Sequence, residues 1–323
     1  MQPEAIARFR RGRTWLKPLA LALAFAFLPP GPPARADAPI KRLLIVYPDS
    51  SESHAAVVAS EAVRSRLSHL ASALTVQTHT EFLDRTQFPG QEHKDRFVRY
   101  LIDKYSGAKP DVLLAFGADS LDAVTSYRKA LGTTIPIVFC VLPPAGATVK
   151  VEPDMAGIVS EHDVTKTVAL ARALQPDARG LLVVAGAADF DRKGALIAQQ
   201  QLVDVEKQLK TRYLVGLPDN TVQRELASVP RNTIILLLSK LTDAAGHGDA
   251  AALIAAANAP VYAPYSTYFG RGIVGGYMDT FEGMGAQTAD LVLGIFNNPV
   301  PPMLGPIKST TQAFRVDARE LER

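Results

Sequence analysis

Four of the nine tyrosines of this 323-residue chain, Tyr262, Tyr265, Tyr268 and Tyr277, fall within Ala259 to Phe281, APVYAPYSTYFGRGIVGGYMDTF. A tyrosine presents a ring face and a hydroxyl that both donates and accepts, which suits holding a small organic molecule more than breaking one. Glycines at 270, 272, 275, 276 and 283 let the backbone turn sharply or approach another backbone or a ligand closely. The same stretch also reads as a core strand pair, and Val261 and Ile273 fit that reading best. Bond-making machinery is missing from the sequence. It has no GxSxG elbow, no GxxxxGK[ST] phosphate loop and no GxGxxG after a strand. The histidines at 54, 69, 79, 93, 162 and 247 are scattered, without HExxH or His-x-His spacing, and read as surface or loop residues. Only His162, beside Glu161 and Asp163, falls where a hinge is expected. No catalysis, metal or cofactor is expected.

The elements that must position these residues alternate. RLLIVY (42–47), Thr75 to Phe82, DVLLAFG (111–117) and PIVFCVL (136–142) read as strands, the first, third and fourth buried on both faces. Amphipathic helices fit from about Ser53 to Leu74, from Gln91 to Tyr105 and from Asp119 or Ser120 to Leu131. Pro143 to Asp154 breaks the rhythm ahead of the short run Gly157 to Ser160, and this interruption is read as a crossing between lobes. The pattern then restarts. Helices are expected at about 164–174, 189–210, 221–229 and 249–257, and strands at 180–186, 211–216, 233–239, 261–262 and 272–277. A helix over Gly283 to Phe296, a closing strand at Gln312 to Val316 and an exposed tail from Asp317 complete the reading. The expected fold class is α/β, two doubly wound parallel-sheet lobes joined by a hinge. The first lobe is expected over 37–156 plus about 275–300, the second over 157–274 plus about 301–323.

In open α/β sheets ligands lie beyond the carboxyl ends of the strands. Those ends place Tyr47, Ser50, Asp119 and Ser120 on the first lobe, and Asp191, Tyr265, Tyr268 and Tyr277 on the second, as the candidate ligand-binding residues. Ser50, Asp119 and Asp189 also serve as ordinary caps and turn residues.

Composition is globular, 47% apolar and 21% charged. The first 36 residues read as a cleavable secretory leader, with Arg8, Arg10, Arg11, Arg13 and Lys17 ahead of the apolar run Pro18 to Leu28 and a cut after Ala34-Arg35-Ala36. That run is well short of the roughly 20 residues of a spanning helix. Removing its five Arg, one Lys and one Glu leaves 29 basic and 31 acidic residues, so the formal charge of +3 falls to −2. The basic balance therefore belongs to the leader and gives no support to a nucleic-acid partner. Cys140 is the one cysteine, so an intrachain disulfide is impossible and no lipid-bearing cysteine follows the leader. The expected product is a soluble periplasmic protein, a monomer.

Beyond these patterns, the chain resembles the periplasmic substrate-binding proteins of ABC transporters with the type I binding-protein fold, above all the versions that also occur as extracytoplasmic sensor regions of histidine kinases. The segments that carry the resemblance are FLDRTQFPG (82–90), DVLLAFGADSLDAV (111–124), GIVSEHDVTKTVALARALQPDAR (157–179) and APVYAPYSTYFGRGIVGGYMDTFEGMGAQTADLVLGIF (259–296). The resemblance implies two lobes, a hinge of three crossings and a small ligand in the cleft. It implies that the helix from Gly283 returns to the first lobe and the tail to the second. It also implies a membrane permease as partner, or else a separate sensor kinase. No membrane helix or kinase follows Arg323, which favours the free binding protein as the expectation.

Overall fold

The computed structural model describes residues 39–70, 74–143, 148–161, 163–241, 250–298, 306–309 and 311–322. The expected leader and His162 lie outside the described residues.

The first sheet starts from β1 (Ile40–Tyr47), followed by α1 (His54–Leu70), β2 (Thr75–Phe82), α2 (Gln91–Lys104), β3 (Val112–Phe116), α3 (Ala118–Ala130), β4 (Ile137–Val141) and β5 (Met155–Val159). β3 (VLLAF) and β4 (IVFCV) are buried at every position, because helices cover both faces of a parallel sheet. Leu43, Ile45 and Val138 look toward α1, and Leu44, Leu113 and Phe139 toward α2 and α3. The polar run TVQTHTEF of β2 fits its place at the sheet edge.

The second sheet follows through α4 (Val164–Leu174), β6 (Gly180–Ala185), α5 (Asp189–Gln201), a short α6 (Val203–Glu206), β7 (Lys210–Val215), α7 (Asp219–Ser228), β8 (Thr233–Leu237), α8 (Ala250–Ala255) and β9 (Val261–Tyr262). After a single 3-10 turn (Ser266–Tyr268) come β10 (Gly275–Met278), α9 (Phe281–Asn297), β11 (Pro306–Lys308), β12 (Ala313–Val316) and α10 (Ala318–Leu321). Among the described residues both sheets have six strands, in the order β2-β1-β3-β4-β5-β11 and β7-β6-β8-β9-β10-β12. All pairings are parallel except β10 with β12. Two doubly wound lobes result, as the alternation of apolar runs and amphipathic helices predicts.

The chain passes between the sheets at three places: after β5, after β10 and after β11. The first two passages end in a helix cap, where Asp163 Oδ1 accepts from Thr165 N at 3.0 Å and Thr280 Oγ1 accepts from Gly283 N at 3.0 Å. α9 then lies along α1 in the first lobe, its Met284, Ala289, Val292 and Phe296 in that core and its Asp290 paired with Arg66 at 2.7 Å.

Several boundaries differ from the sequence expectation. Gly157 to Val159 belong to the first sheet through β4, whereas Gly275 to Met278 belong to the second through β9, and Pro306 to Lys308 return to the first through β5. The single helix expected over 189–210 is broken at Leu202, and β7 already begins at Lys210. The tail is also less free than expected. Asp317 is buried, its backbone N–H bonds Val274 O at 2.8 Å, and its carboxylate caps α10 and takes a two-pronged bond from Arg319 at 3.0 and 2.7 Å.

Candidate functional site

A hollow of about 310 Å³, its open mouth included, lies where the three passages run between the lobes. Leu142, at the carboxyl end of β4, and Phe281 and Met284, at the start of α9, wall it from the first lobe. Pro264, Tyr265 and Tyr277 wall it from the second, while Ser160, Glu161, Asp163, Asp279 and Gln312 come from the passages themselves. Most of that volume is open mouth, and the interior proper has about 10 Å³, room for a single water molecule. The position is the one expected for such folds, outside the carboxyl ends of parallel strands.

Hydrogen bonds knit the passages together. Gln312 Nε2 donates to Glu161 O at 2.7 Å, and Lys308 Nζ pairs with Glu161 Oε2 at 2.9 Å, joining the first and third. Thr311 Oγ1 donates to Asp279 Oδ1, which also accepts from Thr280 N at 2.9 Å, joining the second and third. Asp279 is only 5% exposed, and its other oxygen, Oδ2, has no hydrogen-bond partner among the described residues. A buried carboxylate oxygen left in that state carries an uncompensated desolvation cost.

The eight residues expected at the site separate. Tyr265 and Tyr277 line the hollow. Tyr265 is nearly enclosed, and burial first, then the neighbouring Tyr268 and Asp191, pushes its hydroxyl well above the ordinary tyrosine range. The Tyr277 ring is half-buried, tilted against Phe314 with centroids 4.9 Å apart, and Lys166 Nζ sits 4.4 Å from its centroid, a cation–π arrangement.

Tyr268 and Asp191 lie just behind this wall. The Tyr268 hydroxyl accepts from Lys240 N at 2.9 Å. Fully buried Asp191 accepts from Ala188 N at 3.2 Å and from Leu241 N at 3.2 and 3.1 Å, so it ties two loops at the sheet end. Both side chains support the site from within the second lobe, and neither lines the hollow.

The four first-lobe residues do other work. Tyr47 is a core residue, stacked between Phe116 at 4.8 Å and Phe82 at 5.7 Å, and its hydroxyl accepts from Ser60 Oγ at 2.9 Å. Burial pushes that hydroxyl up, the Ser60 bond acting the other way. Ser50 is an exposed turn residue whose carbonyl accepts from Ser53 N at 3.1 Å. Asp119 is exposed beside Arg85 at 3.5 Å, while Ser120 is fully buried with its Oγ unpaired among the described residues. None of these four lines the hollow.

Sequence reasoning left Ser160, Asp279, Phe281, Met284 and Gln312 off the site. The passages were the available signal, since polar residues between an apolar strand and a helix cap are where a cleft floor forms. Among the described residues no group of three His, Cys, Asp or Glu is set to hold a metal, and no helix is long and apolar enough to cross a membrane.

No protein-family model matches the chain, and no curated protein does either. Solved structures do match. A conserved domain protein from Vibrio cholerae is 19% identical with a TM-score of 0.61, covering 87% of this chain and 93% of its own. An ABC domain from Streptococcus pneumonia in complex with L-Trp is 11% identical with a TM-score of 0.63, with the same coverage. The ligand-free, open structure of a substrate-binding protein with adhesive properties from Clostridium difficile is 15% identical with a TM-score of 0.62, covering 87% and 94%. At these identities the likeness is one of architecture, and it makes this chain a two-lobed α/β protein of the type I periplasmic-binding-protein-like fold.

Proposed function

We propose that this chain is a periplasmic solute-binding protein of an ABC-type uptake system, which closes its lobes on a small organic solute and presents the closed form to a membrane permease. The observation that carries the reading is the hollow at the three passages, where aromatic rings from one lobe face apolar side chains of the other across a polar floor. A solute seated there touches both lobes and the hinge at once. Its binding energy therefore acts directly on the open–closed equilibrium. The protein works as a monomer, without bond chemistry or cofactor, after removal of the leader 1–36.

A thermal-shift screen of the mature chain against sugars, amino acids, amines and carboxylates tests the proposal. A true solute at 100 times its Kd stabilises the fold by about 2.7 kcal/mol, and small-angle scattering of that complex should show a smaller radius of gyration. If no solute class moves the midpoint, or a solute is turned over, the reading fails. A ligand sensor feeding a separate histidine kinase is the second reading. It draws on the recurrence of this fold in regulators, such as a lactose repressor structure 13% identical to this chain with a TM-score of 0.54. Capture of a permease or of a kinase by the closed protein separates the two.

A further inference from the structure

The side chains around the hollow are unevenly compensated. Three of them are carboxylates, Glu161, Asp163 and Asp279, and among the described lining residues there is no Lys, Arg or His. Glu161 is answered by Lys308 at 2.9 Å. Asp163 is answered by Lys166 at 3.8 Å and by the N–H of Thr165. Asp279 pairs with no cation among the described residues: Thr311 and Thr280 satisfy Oδ1, and Oδ2 has no donor there.

We infer that Asp279 Oδ2 receives a protonated amine of the solute, so that the ligand class is a small organic ammonium ion with an apolar body. The inference rests on the solute-binding reading and specifies its chemistry. An N–H donor is what the buried oxygen lacks, and a cationic donor makes the stronger bond to a carboxylate. The surroundings complete the match. Tyr265, Tyr277 and Phe281 supply aromatic lining for the apolar body, and the Tyr277 ring already holds one ammonium, that of Lys166, over its face. Leu142 and Met284 offer no competing polar group. The negative charge is also felt by its neighbours: the Cys140 thiol is pushed upward first by burial and second by Asp279. Because the same carboxylate fastens the second passage to the third through Thr311, the ammonium binds on the hinge itself.

The test offers the mature protein an equimolar mixture of matched solutes: 2-phenylethylamine with 2-phenylethanol, L-phenylalanine with 3-phenylpropanoate, and 1,4-diaminobutane with 1,4-butanediol. Native mass spectrometry identifies what is retained, and titration calorimetry on wild type and Asp279→Asn measures its affinity. The expected result is retention of an aminated member and a loss of roughly 30-fold or more in its affinity in Asp279→Asn, the usual consequence of removing one partner of a buried charge pair. The thermal midpoint of ligand-free Asp279→Asn should stay the same or rise, because the substitution removes an uncompensated buried charge. Retention of an alcohol or a carboxylate in preference to its amine overturns the ammonium assignment while solute binding stands. So does an amine held equally well by wild type and variant. Retention of no member also overturns the assignment, and the broader thermal-shift panel then shows whether solute binding falls with it. A ligand-free midpoint that drops while affinity is unchanged marks Asp279 as a structural tie and overturns the proposal as well.

Discussion

The carboxyl ends of the two sheets are built from the same kinds of residue and end up in different states. In the first lobe they are closed upon themselves. Tyr47 is sandwiched between Phe82 and Phe116, and Thr86 donates to Asp49. Arg85 gathers the carbonyls of Phe88, Pro89 and Gly90 and lies beside Asp119. In the second lobe the aromatic residues sit on the boundary between core and hollow, and the chain leaves the sheet through residues whose hydrogen bonds are incomplete. Strand ends whose polar groups are mostly paired have less left for a ligand, and the groups still unpaired in the first lobe, Ser120 Oγ and Arg85 Nε, are buried away from the hollow. The residue type at a strand end thus nominates a site, and its unused bonding capacity decides it.

The largest expected effect breaks the comparison at its strongest point. Tyr265→Ala should destabilise the second lobe by about 3 kcal/mol, the usual cost of deleting a buried aromatic ring, and should abolish solute binding. Tyr265→Phe keeps the ring, and urea unfolding should show a much smaller loss, no more than about 1 kcal/mol. If Tyr265→Ala loses stability and still binds solute with wild-type affinity, the residue is core alone and the contrast between the lobes collapses.

Next comes Asp191→Ala. It leaves the Leu241 and Ala188 N–H groups without their acceptor, at a cost of roughly 2 kcal/mol. Since Asp191 does not line the hollow, its loss should appear in the unfolding midpoint and as faster hydrogen exchange at Leu241. A variant of wild-type stability with impaired binding would instead move Asp191 into the site.

How far such assignments could be read from the sequence depends on the residue. The strands β3, β4 and β8 were legible because burial on both faces forces an unbroken apolar run. β5 was not: MAGIV is short, follows a proline-rich interruption and contains Gly157, whose role is visible only in three dimensions. A Cβ there would overlap the ring of Phe139 on the neighbouring strand. β11, three exposed residues beginning at a proline, offers Ile307 alone as an apolar signal. Of the site, Tyr265 and Tyr277 could be nominated because aromatic residues near a strand end beside glycines are unusual. Gly276, for example, lies so close to the Ala263 carbonyl that no side chain fits. Tyr47, nominated by its place at a strand end alone, is a core residue, because stacking between β2 and β3 is a matter of pairing order. Asp279 was missed for the complementary reason. An acid before a helix reads as a cap, and whether its second oxygen has a partner depends on residues far along the chain.

Tyr47→Phe sharpens the comparison from the side of the first lobe. It removes the bond from Ser60 while the stacked ring remains, so stability should fall by about 1 kcal/mol. Solute affinity, read by calorimetry, should stay as it was. A drop in affinity larger than the drop in stability would reopen the first lobe as a binding surface.

The smallest effect concerns Asp49, at the closed end of β1. Burial, more than the opposing bond from Thr86, raises its carboxyl above the ordinary aspartate range. A folded-state pKa above the unfolded one means that the fold favours the protonated form. The associated stability is fully present below the unfolded pKa and is lost as pH rises through the folded one. Asp49→Asn cannot ionise and keeps an acceptor for Thr86. The stability of the variant relative to wild type should therefore increase with pH across the acidic range and level off toward neutrality, as read by urea unfolding at a series of pH values. A difference that does not change with pH would show that Asp49 ionises in the folded protein as it does in the unfolded chain, and that the first lobe's strand ends are open to water after all.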